Sequence, residues 1–303
     1  MALNNQQNYI AGLNDSLDYT LSYTNHSNVT LQNGVITAKL VGAMFDLSTL
    51  RGGGSFNSIT NVVTWNGANV PALLNIAPGQ SGAVDVMLRT KGTFPIRLLS
   101  DKNYLLKVHG QIISPTVPPG TAASSTVSVA DITNKVGGKI AFDAAGYFDD
   151  TNSTIVNSGP YPPKVNQPTQ YTIHWRITSY STDIANVAVS AYLQSGTTCT
   201  GQVENNIGSS TPTCDPATGL VRWTIPGISA TTGVLGSPAE AIFQVENTPA
   251  INQVGQDVTL LGPTTMTASD TFTGTTLTAN AGPINTSLPQ DRSATNQSRQ
   301  VTQ

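Results

Sequence analysis

Charge is what this chain has least of. Only 10% of its 303 residues are Asp, Glu, Lys or Arg, against roughly 25% in ordinary soluble domains. The net charge of −3 leaves no basis for binding nucleic acid or for an electrostatic membrane patch. No apolar run approaches the ~20 residues of a membrane-spanning helix. Helical periodicity is missing throughout, which excludes a coiled coil and a helical bundle. The chain has 3 His, 2 Cys and 3 Trp, so the residue types that most often hold metals or carry catalysis are scarce. What it has instead is Thr, Ser and Asn, together 92 of 303 residues. Many of its apolar residues are β-branched, and the composition is that of an all-β protein with a polar, weakly charged surface.

The first residues, Met1 to Asn8, carry neither a basic segment nor an apolar one and are not a signal peptide. The strand pattern begins soon after them, so we expect the chain to be the later part of a longer protein; a complete cytosolic protein is the alternative. The tail from Asp291 to Gln303 is polar and is expected to be disordered. Cys199 and Cys214 flank a polar stretch, Thr200 to Thr213. Two thiols with no His or second Cys pair nearby are half a zinc set. A disulfide clipping a hairpin fits better and would be worth about 3 kcal/mol. It would place the chain in an oxidising compartment; two free thiols are the alternative.

The strongest signal is an internal repeat. Tyr19-Thr20-Leu21-Ser22-Tyr23 reads like Tyr171-Thr172-Ile173-His174-Trp175, each an alternating strand followed by a polar turn. Val35 to Leu40 then matches Ala188 to Leu193, and Val62-Val63-Thr64-Trp65 matches Leu220-Val221-Arg222-Trp223. Ala83 to Leu88 and Ala241 to Val245 close the series. The offset grows from 152 residues at Tyr19 and Tyr171 to 158 at Trp65 and Trp223, a period too long for a solenoid and suited to one β-sandwich per copy. Gly138 to Asp143 is expected to be the last strand of the first copy. Asn157 to Pro163, with three prolines in four positions, reads as the start of a stiff linker. The expected organisation is a first domain over 1–156 with a short disordered N-terminus, a linker over 157–168, a second domain over 169–290 and a tail over 291–303.

The matched residues, together with Ile76-Ala77-Pro78-Gly79, resemble a bacterial surface-repeat family catalogued as domain of unknown function 11. The second copy departs from that pattern at Leu235-Gly236-Ser237-Pro238. Thr116 to Ala122, Ser158 to Val165 and Thr271 to Gly274 also resemble the C-terminal tandem of large surface proteins of candidate-phylum bacteria. The resemblance implies an Ig-like sandwich, an extracellular position and a non-catalytic stalk or envelope role. It carries over no catalytic or ligand residue.

The search for chemistry finds only weak candidates. His26, His109 and His174 form no His-x-x-x-His or Glu-paired motif; His26 reads as a turn residue, and His174, between Ile173 and Trp175, is expected to face solvent. No Gly-x-Ser-x-Gly elbow selects a serine nucleophile. Gly52-Gly53-Gly54 lacks the Lys and Ser/Thr of a phosphate loop and reads as a turn. Asp143, Asp149, Asp150 and Asn152 are hard-oxygen donors for calcium, against the plainer reading of solvated loop acids. Lys39 and Lys107 are the candidate donors for a Lys–Asn amide cross-link, though Lys is seldom buried. Trp65, Trp175 and Trp223 sit inside alternating strands and read, with Tyr19 and Tyr171, as core anchors rather than a sugar platform.

The expectation is therefore all-β: two tandem Ig-like β-sandwiches forming a structural spacer of a bacterial cell-surface protein, with no enzyme activity and no cofactor. The alternative is an adhesin-type module recognising a glycan or another cell's surface protein. The partners expected are other domains of the same surface protein or envelope components, besides such a ligand.

Overall fold

The computed structural model describes residues 1–208, 210–292 and 299–303. All of their regular structure is β-strand apart from two three-residue 3-10 turns. The chain divides into a first unit, Met1–Pro95 with Asn103–Gly137, and a second, Ile96–Lys102 with Gly138–Gln303.

In chain order the first unit contains β1 (Ala2–Leu3), β2 (Ser16–Thr24), β3 (Leu31–Gln32), β4 (Val35–Val41), β5 (Phe45–Arg51), β6 (Ser55–Asn57), β7 (Val62–Trp65), β8 (Asn75–Ile76), β9 (Ser81–Thr90), β10 (Leu105–Ser114) and β11 (Thr126–Lys135). They form a four-stranded sheet, β1-β2-β9-β5, and a five-stranded sheet, β11-β10-β4-β7-β6, with β3 and β8 paired separately. Alternation builds the core between the two sheets. Leu17, Tyr19 and Leu21 of β2 point inward with Val84, Val86 and Leu88 of β9, against Ile36, Ala38 and Leu40 of β4 and Trp65 of β7.

The second unit repeats the plan with β12 (Ile140–Tyr147), β13 (Thr169–Ser179), β14 (Ile184–Tyr192), β15 (Thr197–Asn205), β16 (Thr213–Asp215), β17 (Leu220–Ile228), β18 (Ala239–Asn247), β19 (Thr259–Leu261), β20 (Thr264–Asp270), β21 (Thr276–Ala281) and β22 (Ile284–Asn285). Its sheets run β12-β13-β18-β15 and β16-β17-β14-β20-β21. The strand registers coincide between the units. Tyr19 faces Val86, Leu21 faces Val84 and Ile36 faces Trp65; Tyr171 faces Val245, Ile173 faces Phe243 and Val189 faces Trp223. Trp65, Trp175, Trp223, Tyr19 and Tyr171 are all buried. Asparagine makes many of the turns: it supplies eight of the ten non-glycine residues with positive φ among the described residues, including Asn33 and Asn186 ahead of β4 and within β14. Its short amide side chain tolerates this left-handed region better than most residues do.

Several expectations need correction. The N-terminus is not disordered: Ala2 and Leu3 pair with Thr20 and Tyr19, and Leu3 is buried. Gly138 to Asp143 is not the last strand of the first copy, because β12 pairs along β13 in the second unit. Residues 157–168 belong to that unit too. The Asn157 amide donates to the carbonyls of Tyr147 and Phe148, Pro163 is buried, and Gly159, at φ 106°, lies so close to the Pro168 carbonyl that any side chain would collide with it. Of the tail, residues 293–298 lie outside the described residues, but Val301 and Thr302 bridge to Val254 and Lys164.

Cys199 and Cys214 form a disulfide, with Cα atoms 6.5 Å apart. It does not clip a hairpin. Cys199 lies on β15, an edge of one sheet, and Cys214 on β16, an edge of the other, so the bond joins the two sheets of the second unit. No described helix is long and apolar enough to cross a membrane.

Candidate functional site

Two places concentrate polar chemistry, one in each unit. In the second, the outward-facing residues of β13 and β18 are buried where alternation predicts exposure. His174 is fully buried, in contrast to the expected solvent-facing residue. Its Nε2 lies 2.6 Å from Asp150 and its Nδ1 lies 2.8 Å from Glu240. Thr172 donates to the same Asp150 oxygen at 2.8 Å, Arg176 Nε donates to Glu240 at 2.7 Å, and Tyr147 meets the imidazole edge-on at 4.9 Å. Further along the strands, Gln244 donates to the Val156 carbonyl and to Asn157. The segment after β12 thus folds over the outer face of the sheet and is fastened there by side-chain hydrogen bonds.

Burial pushes the Asp150 carboxyl up, but the hydrogen bonds from His174, Thr172 and the Asn152 N–H outweigh it and hold the group below the usual carboxylate range. The cluster has the residue types of an acid–base centre and lacks its geometry. Each imidazole nitrogen already faces a carboxylate, and the ring is shut off from solvent. No nitrogen is left to activate a nucleophile. Its chemistry is that of a buried clasp.

The other candidates from the sequence do not converge. Asp150 is committed to His174, Asp143 lies 3.8 Å from Arg176, and the Asp149 N–H donates to Asp291. Among the described residues no group of three or more His, Cys, Asp and Glu side chains is placed to hold a metal. Lys39 and Lys107 are exposed, so neither reaches an asparagine in the core. His109 pairs with Asp131 at 2.7 Å on an exposed face. Tyr161 stacks on Phe148 at 4.5 Å.

The second place is a cleft of about 520 Å³ in the first unit, lined by residues that include Tyr23, Asn25, His26, Ile76, Ile112 and Ser128. It opens between β2 of one sheet and β11, an edge strand of the other. Buried Asn25 shapes the rim: its amide nitrogen donates to the carbonyls of Val29 and Ile76, and its oxygen accepts from the Ser27 N–H and hydroxyl. The floor is small and polar because β10 and β11 place Ser114, Thr126 and Ser128 there. Ser114 donates to the Gln32 carbonyl and Thr126 to the Thr116 carbonyl, which holds β3 and the loop before β11 against this end. No charged residue lines the cleft. Burial pushes the Tyr23 phenol up from its ordinary value, while the residue stays only half-buried.

In the sequence Tyr23, His26 and Ile76 read as strand, turn and motif residues, and nothing there shows that they line one cleft.

No family model matches the chain, so the surface-repeat resemblance rests on the residues quoted for it, and no curated protein matches. Solved structures align over most of its length. The C-terminal domain of the Streptococcus pyogenes antigen I/II-family protein AspA is 10% identical, with a TM-score of 0.35, over 92% of this chain and 95% of that one. The C-terminal domain of the Streptococcus agalactiae AgI/II polypeptide BspA is 11% identical, with a TM-score of 0.32, over 92% and 96%. The major pilin SpaD of Corynebacterium diphtheriae is 10% identical, with a TM-score of 0.33, over 89% and 66%. At these scores nothing about those proteins' activities transfers to this chain.

Proposed function

We propose that this chain is a non-catalytic binding module of an extracellular bacterial surface protein, built from two Ig-like β-sandwiches and engaging a glycan or a protein of another surface through the cleft of the first unit. The observation that carries this reading is the open cleft itself. Its lining holds no Asp, Glu, Lys or Arg, and its rim is held by Asn25. A spacer needs no such opening, whereas recognition needs a concave, partly apolar surface with a few placed polar groups. The disulfide supports an oxidising setting. The low charge suits a surface whose contacts vary little with salt. The clasp around His174 supports the non-catalytic part, because it engages both ring nitrogens.

Beads coated with the purified chain test this reading against panels of cells and immobilised glycans. Adhesion should be saturable, competed by soluble chain, and lost when Ser128→Trp fills the cleft without lowering the melting temperature. Adhesion that is absent, or untouched by that substitution, would return the chain to the spacer role.

A further inference from the structure

Asparagine is followed by glycine at Asn33-Gly34 and at Asn66-Gly67, both in the first unit. In such a step the main-chain nitrogen of the glycine lies within reach of the asparagine Cγ, and the glycine has no side chain to hinder its approach. Whether that nitrogen can attack depends on what holds it. The fold sets the two steps in opposite states.

Gly34 is buried, and its N–H donates to the Leu73 carbonyl at 2.7 Å. Asn33, at φ 50°, has its own N–H on the Leu74 carbonyl at 3.0 Å. The Gly34 nitrogen cannot turn toward Cγ until its backbone bond breaks. Losing one such bond slows a reaction by about tenfold.

Asn66 is exposed in the turn after β7, and the Gly67 N–H has no hydrogen-bond partner among the described residues. The Asn66 side-chain oxygen accepts from the Ala68 N–H at 2.9 Å. That bond draws electrons from Cγ and holds the negative charge that builds on the oxygen during attack, as an oxyanion site does. The Asn66 amide nitrogen, the leaving group, donates to nothing among the described residues. The main chain around it is fixed: the Asn66 N–H donates to Asn69 Oδ1 at 2.8 Å, and the Val70 N–H to the Asn66 carbonyl at 2.8 Å.

We propose that Asn66-Gly67 is a self-modifying site of the folded chain, with water as its co-reactant, while Asn33-Gly34 is kept inert by its backbone bonds. The Gly67 nitrogen gives its proton to water and bonds to the Asn66 Cγ. The Cγ–Nδ2 bond breaks, and the nitrogen takes a proton and leaves as ammonia. Water then opens the succinimide at either carbonyl and yields aspartate or isoaspartate, with no change of oxidation state. The product adds a negative charge to a chain of net charge −3. In isoaspartate the main chain runs through the former side chain, and the carbonyl that accepts from Asn69 and Val70 becomes part of a free carboxylate. This turn leads into the 3-10 turn Pro71–Leu73, whose Leu73 is fully buried, and on to β8. Conversion therefore loosens the first unit from one loop. The inference goes beyond the binding-module reading and does not depend on it.

The full chain is incubated in mildly alkaline buffer, folded and again in concentrated urea, then digested. The peptides holding Asn33 and Asn66 are followed by mass spectrometry, and isoaspartate is labelled with an isoaspartyl methyltransferase. In the folded chain Asn66 should convert while Asn33 lags about tenfold behind; in urea the two rates should converge. Asn66→Gln, whose longer side chain needs a larger ring, should abolish conversion at that position and leave Asn33 as it was. The converted fraction, separated by ion exchange, should melt at a lower temperature than the unconverted one. An Asn66 that stays intact in the folded chain overturns the proposal, whatever happens in urea. Equal conversion of both sites before unfolding also overturns it, because the hydrogen bonds would then select nothing. A converted fraction with an unchanged melting temperature overturns the loosening of the first unit.

Discussion

Tyr19 shows how a residue legible as core still carries a cost that only its surroundings reveal. Its ring is fully buried, its phenol is pushed above the ordinary range by burial alone, and its hydroxyl has no hydrogen-bond partner among the described residues. An unsatisfied buried hydroxyl costs about 1–3 kcal/mol. Tyr19→Phe should therefore leave the first unit as stable as before or more stable by about 1 kcal/mol; a lower urea midpoint would show that the hydroxyl has a partner. His174 is the opposite case. Its alternation with Ile173 and Trp175 reads as outward, correctly, but outward here means under the segment that carries Asp150. His174→Ala would strand the Asp150 carboxylate in a buried site, and breaking such a pair costs about 3–5 kcal/mol. Urea denaturation of the variant should show a loss of this order, and a loss below about 1 kcal/mol, as for exposed pairs, would show that the clasp is open in solution.

Among the elements, β15 and β16 need a covalent tie because both are sheet edges and β16 is only three residues long. Reducing the Cys199–Cys214 bond should cost the second unit about 3 kcal/mol, read as a fall in the denaturation midpoint under reducing conditions. The first unit has no disulfide, and its melting should not respond to reductant. The strand ends of the second unit are pinned by a carboxylate instead. Asp270, at the end of β20, accepts from the Thr182 hydroxyl at 2.6 Å and from the N–H groups of Gly138, Phe272 and Thr273. One side chain thereby ties the start of the unit to two turns. Burial pushes its carboxyl up, and the bonds from Thr182, Gly138 and Thr273 more than reverse that.

For the molecule as a whole, carboxylates of the second unit set the acid limit, these two with Asp183 among them. Both Asp150 and Asp270 are held below the ordinary value of 3.8 in the folded chain. The unfolded chain therefore binds protons first as pH falls. Their contribution is complete above that value and is lost as pH drops through the lower folded values. Melting temperature should be flat from neutral pH down to about 4 and fall below it. The fall should be confined to the second unit, followed through fluorescence of Trp175 and Trp223 with Trp65 replaced by Phe. A midpoint that declines steadily from neutral pH would show that other groups dominate.

The repeat, the strand faces and the core anchors were legible from Tyr19, Trp65 and their counterparts because a period of two and a fixed offset are local properties of a chain. The pairing partners followed the same offset, and even the turn asparagines recur. Three features were not legible, for one shared reason: each depends on what lies beside a strand rather than within it. The burial of His174 depends on a loop crossing the sheet. The span of the disulfide depends on two edges meeting. The cleft beside Ser22 depends on β2 and β11, strands of different sheets, lining one opening together. Local sequence decides which way a side chain points; tertiary packing decides whether anything is there to meet it.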